Sequence, residues 1–174
     1  MHSLFQVLDK EGAFEGFLKP LCQMRSANKK HGNIGDIEVT ERPDSMLIIE
    51  AWDAKYGKPY LRDELDEIDE KLRDHPETQR VGFVVDAKPN LKKEILNRKS
   101  EIEESHNVTI EILGFKEWVE KQAERSSIKM NSLISSWIIA FAESLCQLRR
   151  DLAPIDEPSD AWVLELKAYS KKWT

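Results

Sequence analysis

Hydrophobic spacing divides the chain into helical and extended stretches. Phe14, Phe17, Leu18 and Leu21 recur at i, i+3, i+4 and i+7, one helical face, and predict a first helix over about Ser3 to Arg25. Glu15 falls at the edge of that stripe, while Gly12 and Pro20 make the helix imperfect or split it. A turn-like stretch over 26–33, rich in Asn, Lys and Gly, follows. Ile34 to Thr40 alternates, with Ile37 and Val39 on one face and Asp36 and Glu38 on the other, and predicts a strand. Glu41 to Ser45 holds a turn. Met46 to Tyr56 predicts a second strand, too apolar at its start for an exposed edge. The short turn between them predicts an antiparallel hairpin.

Downstream, Leu65, Ile68 and Leu72 give the inward face of a helix over Asp63 to Leu72, which stops near His75-Pro76. Arg80 to Asp86 is apolar on both faces and predicts a central strand. A helix from Leu91 to His106, a strand from Val108 to Leu113 and a helix from Phe115 to about Glu124 follow. The tail predicts helix over about Ser132 to Arg150 and Ala161 to Lys172, with a Pro-containing break at Ala153 to Pro158. A hairpin followed by β-α-β crossovers predicts an α/β fold, a mixed central β-sheet flanked by helices.

Composition narrows the classes. The chain has 174 residues, 33% of them charged, and a net charge of −6, an ordinary globular composition. One domain over 1–174 is expected, with a core at about 3–124 and a helical extension at about 128–174, either alone or as part of a larger protein. No apolar run reaches the ~18 residues of a membrane span. Cys22 and Cys146 make neither a disulfide framework nor a zinc site, so a cytoplasmic location is expected. His2, His31, His75 and His106 are scattered, and the glycine-rich loops of nucleotide hydrolysis and dinucleotide binding are absent. The acid is concentrated: between Leu61 and Thr78 eight acids face three bases, an expected solvated face. Elsewhere basic pairs stand out. Lys29-Lys30 is the first candidate for phosphate contact. Trp137, Ile138, Phe141 and Leu145 form one helical face that either packs in the core or supports a homodimer.

The candidate chemistry sits at the end of the second strand. Asp53 and Lys55 are two apart and share a strand face. They end an apolar strand, where acid and base are costly unless paired or metal-bound. Hairpin pairing brings Asp36 towards Asp53. Two converging carboxylates repel, and a hard divalent cation relieves that repulsion. The Ala54 carbonyl is a third oxygen, and Mg²⁺ suits such a set. Alternation puts Glu50 on the opposite face, as a metal ligand if the strand bulges or as a core acid paired with a base. Asp86 and Lys88, after the central strand, either line the same cleft or make a strand-exit turn.

This arrangement resembles the PD-(D/E)XK nuclease superfamily, which includes the type II restriction endonucleases. Asp36 matches the first motif acid, Asp53-Ala54-Lys55 matches the D/E-X-K triplet, and Tyr56-Gly57 resembles what often follows it. Glu15 resembles the acid that many members add from the first helix. Gly35 stands where the motif has proline; the literal Pro43-Asp44 lies in the hairpin turn. The resemblance spans roughly Phe5 to Trp118 and implies a restriction-endonuclease-like αβββαβ core. It further implies Mg²⁺-dependent (Mn²⁺ as substitute) phosphodiester hydrolysis of DNA, as the endonuclease domain of a restriction- or defence-type protein. Asp36, Asp53, Glu15 and the Ala54 carbonyl would hold metal, and Lys55 would orient the attacking water. The alternative is a non-catalytic member of that fold acting as a nucleic-acid-binding or scaffold module.

Overall fold

The computed structural model describes residues 1–20, 33–58, 60–86 and 88–151 and, over 145–151, the backbone only. Among them five helices and five strands follow one another. They are α1 (His2–Lys10), β1 (Phe17–Leu18), β2 (Ile37–Thr40), β3 (Ile48–Ala54), α2 (Arg62–Asp74), β4 (Arg80–Val85), α3 (Lys93–His106), β5 (Thr109–Gly114), α4 (Phe115–Glu124) and α5 (Met130–Asp151). The strands form one sheet in sequence order, β1-β2-β3-β4-β5. The first three pair antiparallel, and β3, β4 and β5 run parallel. The expected hairpin and mixed sheet are therefore present.

Each face of the sheet carries its own core. On one face, Ala51, Val81, Phe83, Val85, Ile110 and Ile112 meet Leu65, Ile68 and Leu72 of α2 and Ile95 and Ile102 of α3. On the other, Trp52, Val84 and Leu113 meet Leu4, Phe5 and Leu8 of α1, Trp118 of α4 and Leu133 of α5. Trp52 lies edge-on to Trp118 with ring centroids 5.9 Å apart, and Phe5 stacks on Trp118 at 5.9 Å. Gly82 makes room for this: a Cβ there would come within 2.2 Å of the Trp52 ring. Helix α5 is only partly absorbed. The Trp137 indole N–H donates to Ser3 Oγ at 3.0 Å, whereas Ile138 and Ile139 on the same helix stay exposed.

Two sequence expectations need correction. The first helix ends at Lys10, not near Arg25. Gly12 adopts φ +64° and Gly16 φ +102°, turning the chain into β1. A Cβ on Gly16 would stand 2.5 Å from the Thr40 carbonyl oxygen, so only glycine allows β1 to lie against β2. The Phe14, Phe17 and Leu18 spacing therefore belongs to a turn and a short strand, with Phe17 exposed. Leu21, Cys22, Lys29-Lys30 and the segment from Ala161 to Lys172 lie outside the described residues.

The acidic helix α2 is also not wholly a solvated face. Arg98 of α3 donates to Asp66 at 2.7 Å and to Asp69 at 2.9 Å, and His106 meets Asp69 at 2.8 Å. Helix α3 buries little besides Ile95 and Ile102, so these ion pairs complete its attachment to α2. Among the described residues no helix is long and apolar enough to cross a membrane.

Candidate functional site

The parallel strands β3 and β4 deliver their last residues to one edge of the sheet, where β2 begins. Asp36 immediately precedes β2, and Lys55 immediately follows β3. The Asp36 carboxylate accepts a hydrogen bond from the Ala54 backbone N–H at 2.9 Å. Gly35 sets this approach: its backbone packs against the Trp52 carbonyl, and a Cβ there would lie 2.6 Å from that oxygen. A proline at this position would carry the same Cβ, which gives a physical reason for glycine before Asp36.

Asp53 is buried, with 7% exposure. Burial pushes its carboxyl up to about 6, and Asp36, across from it on the lead-in to β2, pushes the same way; Lys55 pulls back. The two acids expected to converge therefore do so. The N–H and C=O of one strand residue point to the same side of the strand. The Ala54 carbonyl thus faces the side from which Asp36 grips the Ala54 N–H.

Lys55 Nζ lies 2.8 Å from Asp53 and 2.7 Å from Glu64, the third residue of α2. Burial acts to lower the lysine, but hydrogen bonds to the two carboxylates outweigh it and hold the ammonium well above its usual range. For Glu64, burial acts upward and is outweighed by Lys55 and Lys58, which keep the carboxyl below its ordinary value. Lys58 reaches the other Glu64 oxygen at 2.9 Å. Sequence reasoning missed Glu64 because it lies in the run of eight acids. One signal was available: Glu64 precedes the inward-facing Leu65 at the start of the helix that follows Lys55 after a short loop.

Glu15 does not join this cluster. It is exposed on the turn before β1 and lines an open polar hollow with Glu41, Glu50, Gln79, Arg80 and Arg125, at the end of the sheet where β3, β4 and β5 begin. The helix expected to carry it towards Asp53 is absent there. Glu50 proves to be a core acid paired with a base. Arg125, just beyond α4, grips it with two hydrogen bonds of 2.7 and 2.9 Å, and the Trp52 indole N–H donates to it at 2.6 Å. The bulge in the β2–β3 pairing falls between Val39 and Thr40, opposite the start of β3, and leaves Glu50 and Asp53 on opposite faces. Asp86 accepts a hydrogen bond from the Gly57 backbone N–H at 3.0 Å, tying the exit of β4 to the turn after Lys55. Lys88 is exposed two residues further on.

The oxygen donors suit a small hard cation in number and kind: two carboxylates and one carbonyl, with the rest supplied by water and phosphate. Among the described residues no three His, Cys, Asp or Glu side chains gather as a metal-binding group, so the carboxylates these residues bring together here are Asp36 and Asp53. No family model matches the chain, and no curated protein matches it.

Proposed function

We propose that the protein is a Mg²⁺-dependent nuclease of the PD-(D/E)XK type, an endonuclease that hydrolyses phosphodiesters at the Asp36/Asp53/Lys55 cluster. The observation that carries this reading is the strand pairing that sets Asp36 across from Asp53, with Asp36 held on the Ala54 N–H and a carboxylate-clamped lysine beside Asp53. Such a pair is costly to hold without a cation. Asp36, Asp53 and the Ala54 carbonyl would hold the ion, with Mn²⁺ able to replace Mg²⁺; it supplies Lewis-acid polarisation of the phosphate and charge neutralisation.

In the reaction a water oxygen forms a bond to phosphorus while the P–O bond to the leaving sugar oxygen breaks. The attacking water gives up one proton to bulk water, and the departing oxygen keeps the electron pair of the broken bond and takes one proton back from bulk water. Lys55 is held protonated, so it donates hydrogen bonds to the attacking water and to the charge growing on the phosphoryl oxygens, and does not act as the base. Glu64 would keep the Lys55 ammonium at the site with Asp53 engaged in holding a cation. It is a positioning residue.

The test is incubation of DNA with the protein and Mg²⁺ or Mn²⁺, followed on gels. Nicking or cutting is expected, and Lys55→Ala should lower the rate by on the order of 10²- to 10³-fold, the cost of removing one transition-state donor. Cutting that survives Asp53→Ala and Lys55→Ala would place the activity elsewhere. A second reading, a nuclease-fold module that binds nucleic acid or acts as a scaffold without cutting it, is favoured by one observation: among the described residues no third carboxylate joins the two as a metal-binding group. It requires no heat of Mg²⁺ binding in calorimetry, and unchanged DNA affinity in Asp36→Ala.

A further inference from the structure

At the site end of the sheet, residues 55–58 and 60–61 follow β3, and residues 86 and 88–92 follow β4. Contacts join them into one surface. Glu64 is shared by Lys55 at 2.7 Å and Lys58 at 2.9 Å, so Lys58 stands one carboxylate away from the lysine of the site. The Gly57 N–H is fastened to Asp86. Lys92 Nζ sits over the Tyr60 ring, 5.8 Å from its centroid. This surface presents two aromatic side chains to water, Tyr56 at 87% and Tyr60 at 43% exposure. The Lys58, Lys88 and Lys92 side chains are exposed alongside them.

We infer that this strip is a binding track for single-stranded nucleic acid, the substrate form presented to the Asp36/Asp53/Lys55 cluster. The inference rests on the nuclease reading for its link to catalysis but not for the binding itself. Exposed rings with cations between them bind strands by stacking unpaired bases while lysines follow the phosphates. In a duplex the base faces are stacked on one another and cannot meet the tyrosines. Duplex binding also needs many phosphate contacts. Here the first turn of the flanking α2 carries the exposed acid Asp63, which repels a second backbone on that side.

The test measures binding by fluorescence anisotropy in EDTA, where no cutting occurs. Labelled 15-nucleotide DNA and RNA strands are compared with the DNA duplex of the same sequence. At least one single strand is expected to bind tenfold or more tighter than the duplex. Tyr56→Ala with Tyr60→Ala should weaken that binding roughly tenfold or more, as loss of base stacking does. Tyr60→Phe keeps the ring and should bind as the parent does. The salt dependence of log K should have a slope of about −2 for three phosphate contacts at ~0.7 each, and Lys88→Ala with Lys92→Ala should bring it to about −0.7.

Equal affinity for duplex and strands, or binding indifferent to both tyrosines, overturns the inference. A separate Mg²⁺ cleavage assay keeps the two ideas apart. Cutting with inert tyrosines sinks the track and leaves the nuclease. Tyrosine-dependent strand binding without cutting supports the track and sinks the nuclease.

Discussion

At the residue scale, Asp53 gives the sharpest expectation. Its carboxyl titrates near 6 in the folded protein and near its ordinary 3.8 when unfolded, so the folded state holds the extra proton between those values. Stability linked to this group is therefore greatest below pH 4 and falls as pH rises through 6. A shift of roughly two units corresponds to about 3 kcal/mol at most. In EDTA, Asp53→Asn should melt higher than the parent at pH 7–8, with the gap closing towards pH 4. A gap that widens towards acid would reverse the assignment. Glu64→Gln tests the positioning role. It should lower kcat roughly tenfold with little change in KM, because its partner Lys55 acts in the transition state rather than in substrate binding. An equal loss through KM alone would make Glu64 a binding residue. These two residues also mark what the sequence disclosed. Asp36, Asp53 and Lys55 were legible because period-two alternation and a short hairpin turn fix which faces meet. Glu64 was not, since its partner comes from another element and its neighbours are acids of the same kind.

At the scale of elements, glycines and one ion pair decide how the pieces fit. Gly35→Ala sets a Cβ against the Trp52 carbonyl, so the start of β2 must back away and take Asp36 with it. Divalent-ion affinity should fall in calorimetry while the far-ultraviolet circular dichroism is retained. At the other end of β3, Arg125→Ala strands the Glu50 carboxylate beside the Trp52 indole. Breaking a fully buried pair from one side costs about 3–5 kcal/mol, and this half-buried pair at the mouth of the polar hollow should cost less. Urea unfolding should read a loss of about 1–3 kcal/mol, the cost of an unsatisfied polar group, and Glu50→Gln placed on Arg125→Ala should recover part of it. The misjudged first helix belongs to this scale too. Four apolar residues at helical spacing satisfy the pattern, but they cannot reveal that Gly16 must pass within touching distance of Thr40. That approach is a tertiary demand, and with it went the placement of Glu15. By contrast, the helix from Phe115 to Glu124 agrees with the sequence reading at both ends, and α2 and β4 agree within two residues. Their patterns are long, regular and closed by clear stop signals.

For the molecule as a whole, the sheet keeps its two polar centres at opposite ends, an arginine-neutralised acid at one and a convergent acid pair at the other. Under the nuclease proposal, the second is the one that gains from a cation. Saturating Mg²⁺ at about 100 times its dissociation constant would then add about 2.7 kcal/mol to folding stability. For a chain of this size that is a rise in Tm of roughly 5–10 °C, at about 2–4 °C per kcal/mol. Differential scanning calorimetry should find the rise in the parent and in Glu15→Ala, and lose it in Asp36→Ala. A rise that needs Glu15 would return that residue to the ion. The layered architecture was readable from the order of apolar stretches, since a hairpin followed by crossovers leaves few arrangements. The separation of the two polar ends was not, because it depends on which loop each acid's partner occupies.

The clamp on Lys55 has a chemical corollary. Amine acylation needs the neutral lysine, and here two oxygens share an ammonium whose side chain is only 17% exposed. Treated briefly with an acid anhydride, the metal-free protein should modify Lys116, 90% exposed, and Lys58, 62% exposed, long before Lys55. Mass-mapped labelling would find Lys55 the slowest of these three amines to react.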